Sequence, residues 1–379
     1  MRITVVGDAP QDLEAALREG LGYDLLLVSG GLGPTHDDRT IELLARAAGV
    51  PLHLDDELRA AIEVLSRRVA ERLRRPYGDF AEGVAKQATL PDGASWVGLV
   101  GTAPAVVFAH DDGLVVALPG PPRELQALWP RVLETEALQA LLRRAKPPDR
   151  RVLRFYGVSE SAVARSLAAA GGDGDGVDVT ICAREFELHV DLFVEPGASA
   201  RAEAIEAQLV ADNERFLFAQ EEVGTAELVL GLLRERGLTL ATAESCTGGL
   251  VAARLTDVPG ASDVFAGSIV AYADEVKAAQ LGVPETVLAE HGAVSAETAA
   301  AMANGARERL GVDVAVSVTG VAGPGGGTEA KPVGLVHLHA AGPAGERALQ
   351  LDFPADRETI RSRAAVAALH LVRQLVTDP

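Results

Sequence analysis

The fold of this chain is indicated most clearly by one stretch, ATAESCTGG, from Ala241 to Gly249. It follows the apolar residues 238–240 and precedes LVAARL, residues 250–255, whose apolar spacing is typical of a helix. We therefore predict a strand-to-helix turn in which Ser245 lies beside unpaired backbone N–H groups. Because such groups stabilise an oxyanion or a phosphate, the turn is a candidate catalytic or binding site.

Two further loops follow predicted strands. In AYADEVK, residues 271–277, we predict a strand end near Tyr272 and a helix start near Asp274, which puts Lys277 in the first helical turn. A buried lysine can lose its proton near neutral pH and act as a base. The other loop, TGVAGPGGGT, residues 319–328, follows the apolar run VAVSV. Three loops after strands predict a ligand crevice at the carboxyl edge of an open α/β sheet.

Each of these residues also has an ordinary structural interpretation. Ser245 can simply cap the following helix, Lys277 can be an exposed helical lysine, and Tyr272 can lie at the edge of the core. Cys246 is a rival nucleophile because a thiolate is more reactive than a hydroxyl, although free cysteines are usually small buried hydrophobic residues. From spacing alone, the structural interpretations are the better ones.

The order of the motifs resembles the CinA C-terminal family across roughly residues 223–379. The resemblance is carried by ESCTGG, by the Tyr272 and Lys277 pair, and by HGAVS, TGVAGPGGG and KPVG further on. Members of that family are nicotinamide mononucleotide deamidases, which hydrolyse the carboxamide of the nucleotide to the acid and ammonia. The resemblance therefore implies catalytic roles for Ser245, Lys277 and Tyr272. We expect no cofactor for this reaction, since no cluster of His, Cys and Asp residues in this half calls for a metal.

The same loops supply a predicted substrate-binding set. The glycines of the last loop remove steric bulk near ribose or phosphate, and the N–H groups of residues 246–249 are expected to hold the oxyanion. The predicted set is Glu244, Thr247, Gly248, Gly249, Thr319, Gly320, Gly323, Gly325 and Gly326.

Two features of the C-terminal half can each be interpreted in two ways. The family has Ser-Asn after the tyrosine, whereas this chain has Ala273-Asp274. If Asp274 points inward, we expect it to pair with Lys277 and make the lysine a poorer base. Arg361 and Arg363, in the last predicted helix, either reach a 5′-phosphate or lie on a solvated face, and we favour the solvated face.

The N-terminal part has its own glycine-rich loop, GGLGPTHDD, residues 30–38, after a buried-type strand. Strands and helices alternate here, which predicts a parallel three-layer domain. The glycines Gly30, Gly31 and Gly33 permit a ligand to approach the backbone closely. Asp37 and Asp38 either hold a divalent metal that bridges phosphates or form a turn with an aspartate cap.

GGLGPTxDD and PGPPxE, residues 30–38 and 119–124, resemble the molybdopterin-binding-like N-terminal domain of full-length CinA proteins. In some members that domain is a metal-dependent ADP-ribose pyrophosphatase, which would place the five residues of the first loop at metal and pyrophosphate. The family's first strand and helix are expected before Ile3 and are absent. We therefore expect a truncated domain that begins with a strand from Ile3 to Val6.

Residues 149–221 predict a small α+β unit of the order strand, helix, strand, strand, helix, which the resemblance describes as KH-like. GGDG at 171–174 matches the KH loop by letter, but Asp173 and Asp175 would repel a nucleic-acid backbone. A spacer or dimerisation role is the better interpretation. The predicted domains are therefore 1–148, 149–221 and 222–379.

The length, net charge and cysteine count of the chain limit the classes of function that it can have. The 379 residues carry a net charge of −19, which argues against nucleic acid or an anionic membrane as a partner and leaves a small nucleotide substrate. Two distant cysteines and the absence of a signal pattern or membrane-length apolar run fit a reducing cytoplasm. The resemblance implies a homodimer. The alternative to an enzyme is a non-catalytic, nucleotide-binding or competence-related partner protein.

Overall fold

The structure is a computed structural model that describes residues 2–145 and 147–377. The chain divides into two compact units, Met1–Pro147 and Pro148–Pro379, and both mix helices with open sheets. Within the described residues, no helix combines the length and the apolar character needed to cross a membrane. The mixed α/β class predicted from the sequence is confirmed.

The first unit has a mixed sheet with the strand order β1-β6-β5-β4, in which β1 and β6 are parallel and the remaining pairs antiparallel. β2 and β3 form a separate short ribbon. In chain order, the elements are α1 (Pro10–Gly20), β1 (Leu25–Ser29), α2 (Thr40–Ala48), β2 (Leu52–Leu54), α3 (Asp56–Leu73), α4 (Gly78–Gln87), β3 (Thr89–Pro91), β4 (Ala94–Leu99), β5 (Pro104–His110), β6 (Gly113–Leu118), α5 (Pro122–Leu133) and α6 (Glu136–Arg144).

This sheet is covered on both faces, as its strand β5 shows. Val106 and Phe108 pack into clusters formed with α1 to α4, whereas Ala105 and Val107 pack with α5 and α6. Successive side chains of a strand point to opposite faces, so the continuous apolar run of β5 requires a helical layer on each side. The predicted three-layer arrangement follows from this alternation. The expected parallel sheet is wrong, because in the described residues of this unit only β1 and β6 pair in parallel and the hairpins of β4, β5 and β6 are antiparallel.

The strand expected from Ile3 to Val6 is wrong. Residues 2–7 belong to no helix or strand, and Ile3 and Val5 are 80% and 95% exposed. In the described part of the chain, β1 forms one edge of its sheet and pairs with β6 alone. Apolar residues form a strand where a neighbouring strand and a covering layer are available, and these residues have neither.

The second unit contains two sheets. An antiparallel sheet of the order β10-β7-β9-β8 carries α7 and α8, and a five-stranded sheet has the order β12-β11-β13-β14-β15. In chain order, the elements are β7 (Asp149–Tyr156), α7 (Glu160–Ala169), β8 (Val177–Arg184), β9 (Glu187–Val194), α8 (Ser199–Asn213), β10 (Leu217–Ala219), α9 (Thr225–Glu235), β11 (Leu240–Glu244), α10 (Leu250–Thr256), β12 (Phe265–Val270), α11 (Asp274–Leu281), α12 (Glu285–His291), α13 (Ala296–Leu310), β13 (Val314–Gly320), β14 (Leu335–Gly342), β15 (Gly345–Asp352) and α14 (Arg357–Thr377).

The five-stranded sheet is the centre of another three-layer arrangement. β12, β11 and β13 run parallel, and β14 and β15 are antiparallel to them. Val316 faces a core shared with α9, α10 and α14, whereas Ala315 faces α11 and α13. The three predicted loops therefore leave the same edge of one parallel sheet segment.

A buried polar cluster joins β9 to α14 inside the second unit. The Nε2 atom of His370 lies 2.8 Å from a carboxylate oxygen of Glu187, and the Thr225 hydroxyl donates to the same oxygen. Tyr156 stacks on His370 with ring centroids 3.7 Å apart. Burial lowers the pKa of His370 despite the neighbouring carboxylate. Burial acts to raise the pKa of Glu187, but its bonds from His370 and Thr225 leave that pKa below its ordinary value.

Candidate active site

The three predicted loops start side by side at the carboxyl edge of the sheet. Glu244, the last residue of β11, pairs with Val270 on one side and with Val318 on the other. The pairing continues beyond the strand, because the N–H of Ser245 donates to the Val318 carbonyl at 2.8 Å. The three strand ends therefore share one sheet edge, as predicted, and Ser245 follows the middle strand of the three.

The turn that carries Ser245 is compact. Ser245 is 8% exposed, and its carbonyl accepts the N–H of Gly248 at 3.0 Å. Gly248 and Gly249 follow with φ angles of +63° and +95°, and α10 begins at the next residue. Side chains larger than hydrogen are disfavoured at these angles, so both predicted substrate-binding glycines are required by the turn itself.

Glu244 is completely buried, and its carboxylate binds the start of α10. One oxygen accepts the N–H groups of Gly249 and Val251 at 2.9 and 3.1 Å, and the other accepts the N–H of Ala252 at 2.9 Å. The N–H groups at the start of α10 are therefore already bonded to a side chain of the protein.

Two N–H groups of the turn remain. Among the described residues, those of Cys246 and Thr247 donate to no oxygen, and both lie near the Cys246 sulfur. The Thr247 side chain is fully buried, and its hydroxyl has no partner in the described part of the chain. Of the four N–H groups at positions 246–249 expected to hold an oxyanion, these two are the ones not bonded to an oxygen, although both are directed at the Cys246 sulfur.

Cys246 does not suit the role of nucleophile. Its side chain is 4% exposed, and burial raises the pKa of the thiol to about 12. At neutral pH the sulfur is therefore protonated, and the reactive thiolate is scarcely populated. Ser245 is the better nucleophile of the two.

Lys277 is buried beneath the second loop. It is 1% exposed, and its Nζ atom lies 3.2 Å from the Tyr272 carbonyl oxygen and 3.3 Å from a carboxylate oxygen of Asp274. The pairing with Lys277 anticipated for Asp274 is thus present, although the Asp274 side chain is 57% exposed and does not point inward. In the described residues, no hydrogen bond joins Lys277 to the Ser245 hydroxyl. The structure brings Lys277 and Tyr272 together through a backbone carbonyl, not through the phenol.

Two arginines of the last helix connect the loops, and the sequence interpretation singled out only Arg361 of the two. Arg357 donates to the Tyr272 hydroxyl and to the Gly323 carbonyl, both at 2.8 Å. Arg361 donates to the carbonyls of Cys246 and Thr247 at 3.1 and 2.7 Å. The solvated face expected for Arg361 is therefore wrong. The i, i+4 spacing of Arg357 and Arg361 was the signal, because residues spaced in this way share one helix face.

The glycine-rich loop after β13 is largely committed to internal packing. The Thr319 hydroxyl donates to the Ala293 carbonyl at 2.6 Å. A side chain at Gly320 would collide with the backbone of Leu335, and one at Gly323 would collide with Val333. Gly325 and Gly326, in contrast, have open space around them. Within the predicted set, these last two glycines leave the most room for a ligand.

The N-terminal loop is held by local contacts. Asp38 accepts the N–H and the hydroxyl of Thr35 at 2.9 and 2.6 Å, while the Asp37 side chain is 59% exposed. A side chain at Gly31 would collide with Thr40, so this glycine serves packing, whereas Gly30 has open space.

A cavity of about 210 Å³ lies beside this loop. It is lined by Gly31, Gly33, Asp38, Lys86 and Gln87, among others. Within residues 2–145 and 147–377, no group of three or more His, Cys, Asp or Glu side chains converges as metal ligands would. Asp37 and Asp38 alone do not form a metal site in this structure, and their metal-binding role stays a prediction.

Comparison with known proteins covers both units. Residues 223–376 match the CinA C-terminal domain, and residues 1–140 match the family described as probable molybdopterin binding domain. A CinA-like protein of Mycobacterium sp. (strain MCS) is 42% identical over 385 residues, which is 99% of this chain and 90% of that protein.

A second relative, the CinA-like protein of Mycolicibacterium paratuberculosis (strain ATCC BAA-968 / K-10), is 42% identical over 395 residues, again with 99% of this chain and 90% of that protein. Among solved structures, the competence/damage inducible protein CihA from Agrobacterium tumefaciens is 40% identical. The match covers 40% of this chain and 93% of that chain, with a TM-score of 0.39.

Proposed function

The chain belongs to the CinA family, and from that premise we propose that its C-terminal part hydrolyses the carboxamide of nicotinamide mononucleotide, giving nicotinate mononucleotide and ammonia. The family includes amidohydrolases, and the substrate is taken from that resemblance. The observation that carries the reaction class is the turn at Ser245. It presents a serine and two N–H groups that donate to no oxygen of the described residues, at the sheet edge where the loop above the buried Lys277 also begins.

In the proposed reaction, Ser245 Oγ attacks the carboxamide carbon while Lys277 accepts the hydroxyl proton. The N–H groups of Cys246 and Thr247 donate to the oxyanion that forms. Lys277 then returns the proton to the nitrogen, the C–N bond breaks, and ammonia leaves. Water, activated by the same amine, attacks the acyl ester and releases the carboxylate and Ser245.

Lys277 must be neutral and within reach of Ser245 for this chemistry. In the structure the amine bonds to Tyr272 and Asp274. Because catalytic hydrogen bonds often tighten only when substrate binds, we propose that the Lys277 to Ser245 contact forms in the substrate complex.

The test is ammonia release from nicotinamide mononucleotide by the full chain, in the presence of EDTA, with the parent and Ser245→Ala. We expect release by the parent and a loss of at least about 1000-fold in the variant, because the acyl-enzyme cannot form. The matched control is Ser199→Ala, since Ser199 is exposed at the start of α8. No release by a folded parent would reject the proposal and favour the non-catalytic role, and release that persists in Ser245→Ala would reject the nucleophile.

No second activity is proposed for the first unit. The ADP-ribose pyrophosphatase implied by the resemblance requires a divalent metal. Asp38 is already bonded to Thr35, and no group of three or more His, Cys, Asp or Glu side chains in the described residues is placed to hold a metal. That activity stays a prediction of the sequence.

A further inference from the structure

Glu244 is a charged residue that the proposed reaction does not use, although it directly precedes Ser245. Its side chain is completely buried, and no ion pair of the described residues involves it. Besides the three N–H groups at the start of α10, its carboxylate faces the hydroxyls of Thr242 at 3.2 Å and Ser268 at 3.4 Å. A buried carboxylate without a cation is costly unless hydrogen bonds satisfy it, and here five donors surround it.

Because of where these donors lie, the carboxylate restrains the conformation of the turn. The backbone of Glu244 is fixed in β11 between two parallel neighbours, while its side chain holds the N–H groups of Gly249, Val251 and Ala252. The turn from Ser245 to Gly248 is therefore closed at both ends by one residue. A short loop tied in this way keeps the direction of the Ser245 side chain and of the N–H groups that follow it.

The same bonds determine which donors face the reaction. Gly249, Val251 and Ala252 give their N–H groups to Glu244 and cannot serve an oxyanion. Cys246 and Thr247 are left with N–H groups that donate to no oxygen in the described residues. Because Glu244 has no exposed surface, it cannot contact a substrate itself.

We propose that Glu244 is a positioning residue: its buried carboxylate holds the Ser245 turn against α10 and thereby aims the serine and the N–H groups of Cys246 and Thr247 at the reacting carbonyl. This inference rests on the proposed amidohydrolase function. It replaces the substrate contact expected for Glu244 from the sequence.

The direct test is Glu244→Gln, which keeps the size of the side chain but turns one acceptor oxygen into an NH₂ group. That group meets N–H donors of α10, so the turn loses its closure. We expect kcat for ammonia release to fall about 100-fold while KM changes less than about threefold, because the reacting groups, and not the substrate contacts, are displaced. Glu244→Asp keeps the charge with a shorter reach, and we expect it to restore about a tenth of the parent kcat.

A fluorophosphonate probe separates this proposal from the substrate assignment. Ser245 Oγ attacks phosphorus, fluoride leaves and the serine proton passes to the base, so labelling requires an aimed serine but no nicotinamide substrate. We expect Glu244→Gln to slow labelling about 100-fold, with the far-UV dichroism of the parent. Glu227→Gln is the control, since Glu227 is exposed in the first turn of α9.

The outcomes distinguish the two proposals. Fast labelling of the parent, slow labelling of Glu244→Gln and no ammonia release would keep the positioning role and reject the substrate. Labelling and kcat of Glu244→Gln within about threefold of the parent would overturn the positioning role. If Glu244→Gln does not fold, the Glu244→Asp variant decides, and parent-like labelling there together with a parent-like kcat would also overturn it.

Discussion

Two glycine-rich loops of this chain follow a strand and precede a helix, and they differ in what their acidic residue binds. In residues 30–38, Asp38 is half-buried and bonds to Thr35 of the same loop. In the turn after β11, Glu244 is completely buried and bonds to the first turn of the following helix. From the sequence, both loops are candidates for the same kind of anion site. In the structure, their acidic residues make different contacts.

The difference shows which contact fixes the conformation of a loop. A carboxylate bonded to its own loop shapes that loop, whereas one bonded to the next helix fixes the loop between two rigid elements. The nearest lysines differ in the same way. Lys277 is 1% exposed at the sheet edge, whereas Lys86 is half-buried and donates to the Thr35 carbonyl. We therefore expect the chemistry of the chain to depend on the second loop and not on the first.

The largest effect that we expect, and the strongest test of this contrast between the loops, comes from replacing the buried lysine. We expect Lys277→Met to reduce ammonia release from nicotinamide mononucleotide by about 1000-fold, because a general base contributes about 100- to 10,000-fold. Methionine fills the same space without a charge, so far-UV dichroism should be unchanged. The measurement is kcat by coupled ammonia assay.

Lys86→Met is the matched control in the other loop. It removes the lysine that contacts Thr35, and we expect ammonia release within about twofold of the parent because the residue belongs to the first unit. Equal losses in both lysine variants would contradict the assignment of chemistry to the second loop.

Much of this site could be predicted from the sequence because its signals are local. Glycines after apolar runs mark turns at strand ends, and parallel strands bring their carboxyl ends to one edge. This reasoning placed Ser245, Tyr272 and Thr319 at one edge, and the register of β11 with its two neighbours confirms it. The hairpin of β5 and β6 around Asp111 to Gly113 is local in the same sense, since a turn and its flanking strands are encoded within a few residues.

The remaining features depend on partners far away in the chain. Arg361 bonds to carbonyls of Cys246 and Thr247, more than a hundred residues earlier, and no local pattern specifies such a contact. The error at Ile3 to Val6 has the same origin, because an alternating apolar pattern does not say whether a neighbouring strand exists. Side-chain periodicity predicts a face, but the element that covers it is a property of the whole fold.

A smaller effect is a loss of stability at acidic pH, which we expect in the second unit. The pKa of His370 lies below its ordinary value of 6.5 because burial outweighs the attraction of Glu187. Below pH 6.5 the unfolded chain therefore takes up this proton before the native chain does, and stability falls. The pKa of Glu187 lies below its ordinary 4.5, so its contribution is full above pH 4.5 and is lost as the pH falls through the native value. Both changes destabilise the second unit on acidification, His370 first.

Hydrogen exchange of the α14 amides follows the second unit, and the two tryptophans, Trp96 and Trp129, follow the first. Between pH 7 and pH 5 we expect α14 protection, corrected for intrinsic exchange, to fall about tenfold. The double variant Glu187→Gln with His370→Phe removes both titrating groups, and its protection should depend less on pH. An unchanged pH slope would assign the effect to His189, which lies against Glu187 and whose pKa is also lowered by burial.

The smallest expected effect tests the other loop directly. Asp38→Asn keeps one acceptor oxygen for Thr35 and removes a half-buried charge, so we expect it to cost about 0.5–1 kcal/mol of stability. That cost should lower the melting temperature of the first unit, followed by tryptophan fluorescence, by less than about 4 °C. Ammonia release should equal that of the parent.

The value of this variant lies in its contrast with Glu244→Gln. Both changes replace a carboxylate by an amide in a glycine-rich loop, but Asp38 contacts a neighbouring side chain and Glu244 contacts a helix. A loss of ammonia release in Asp38→Asn would contradict the independence of the two loops. A melting temperature lower by about 10 °C would instead show that Asp38 stabilises more than its loop, and the cavity of about 210 Å³ that it lines would then be the place to look for the reason.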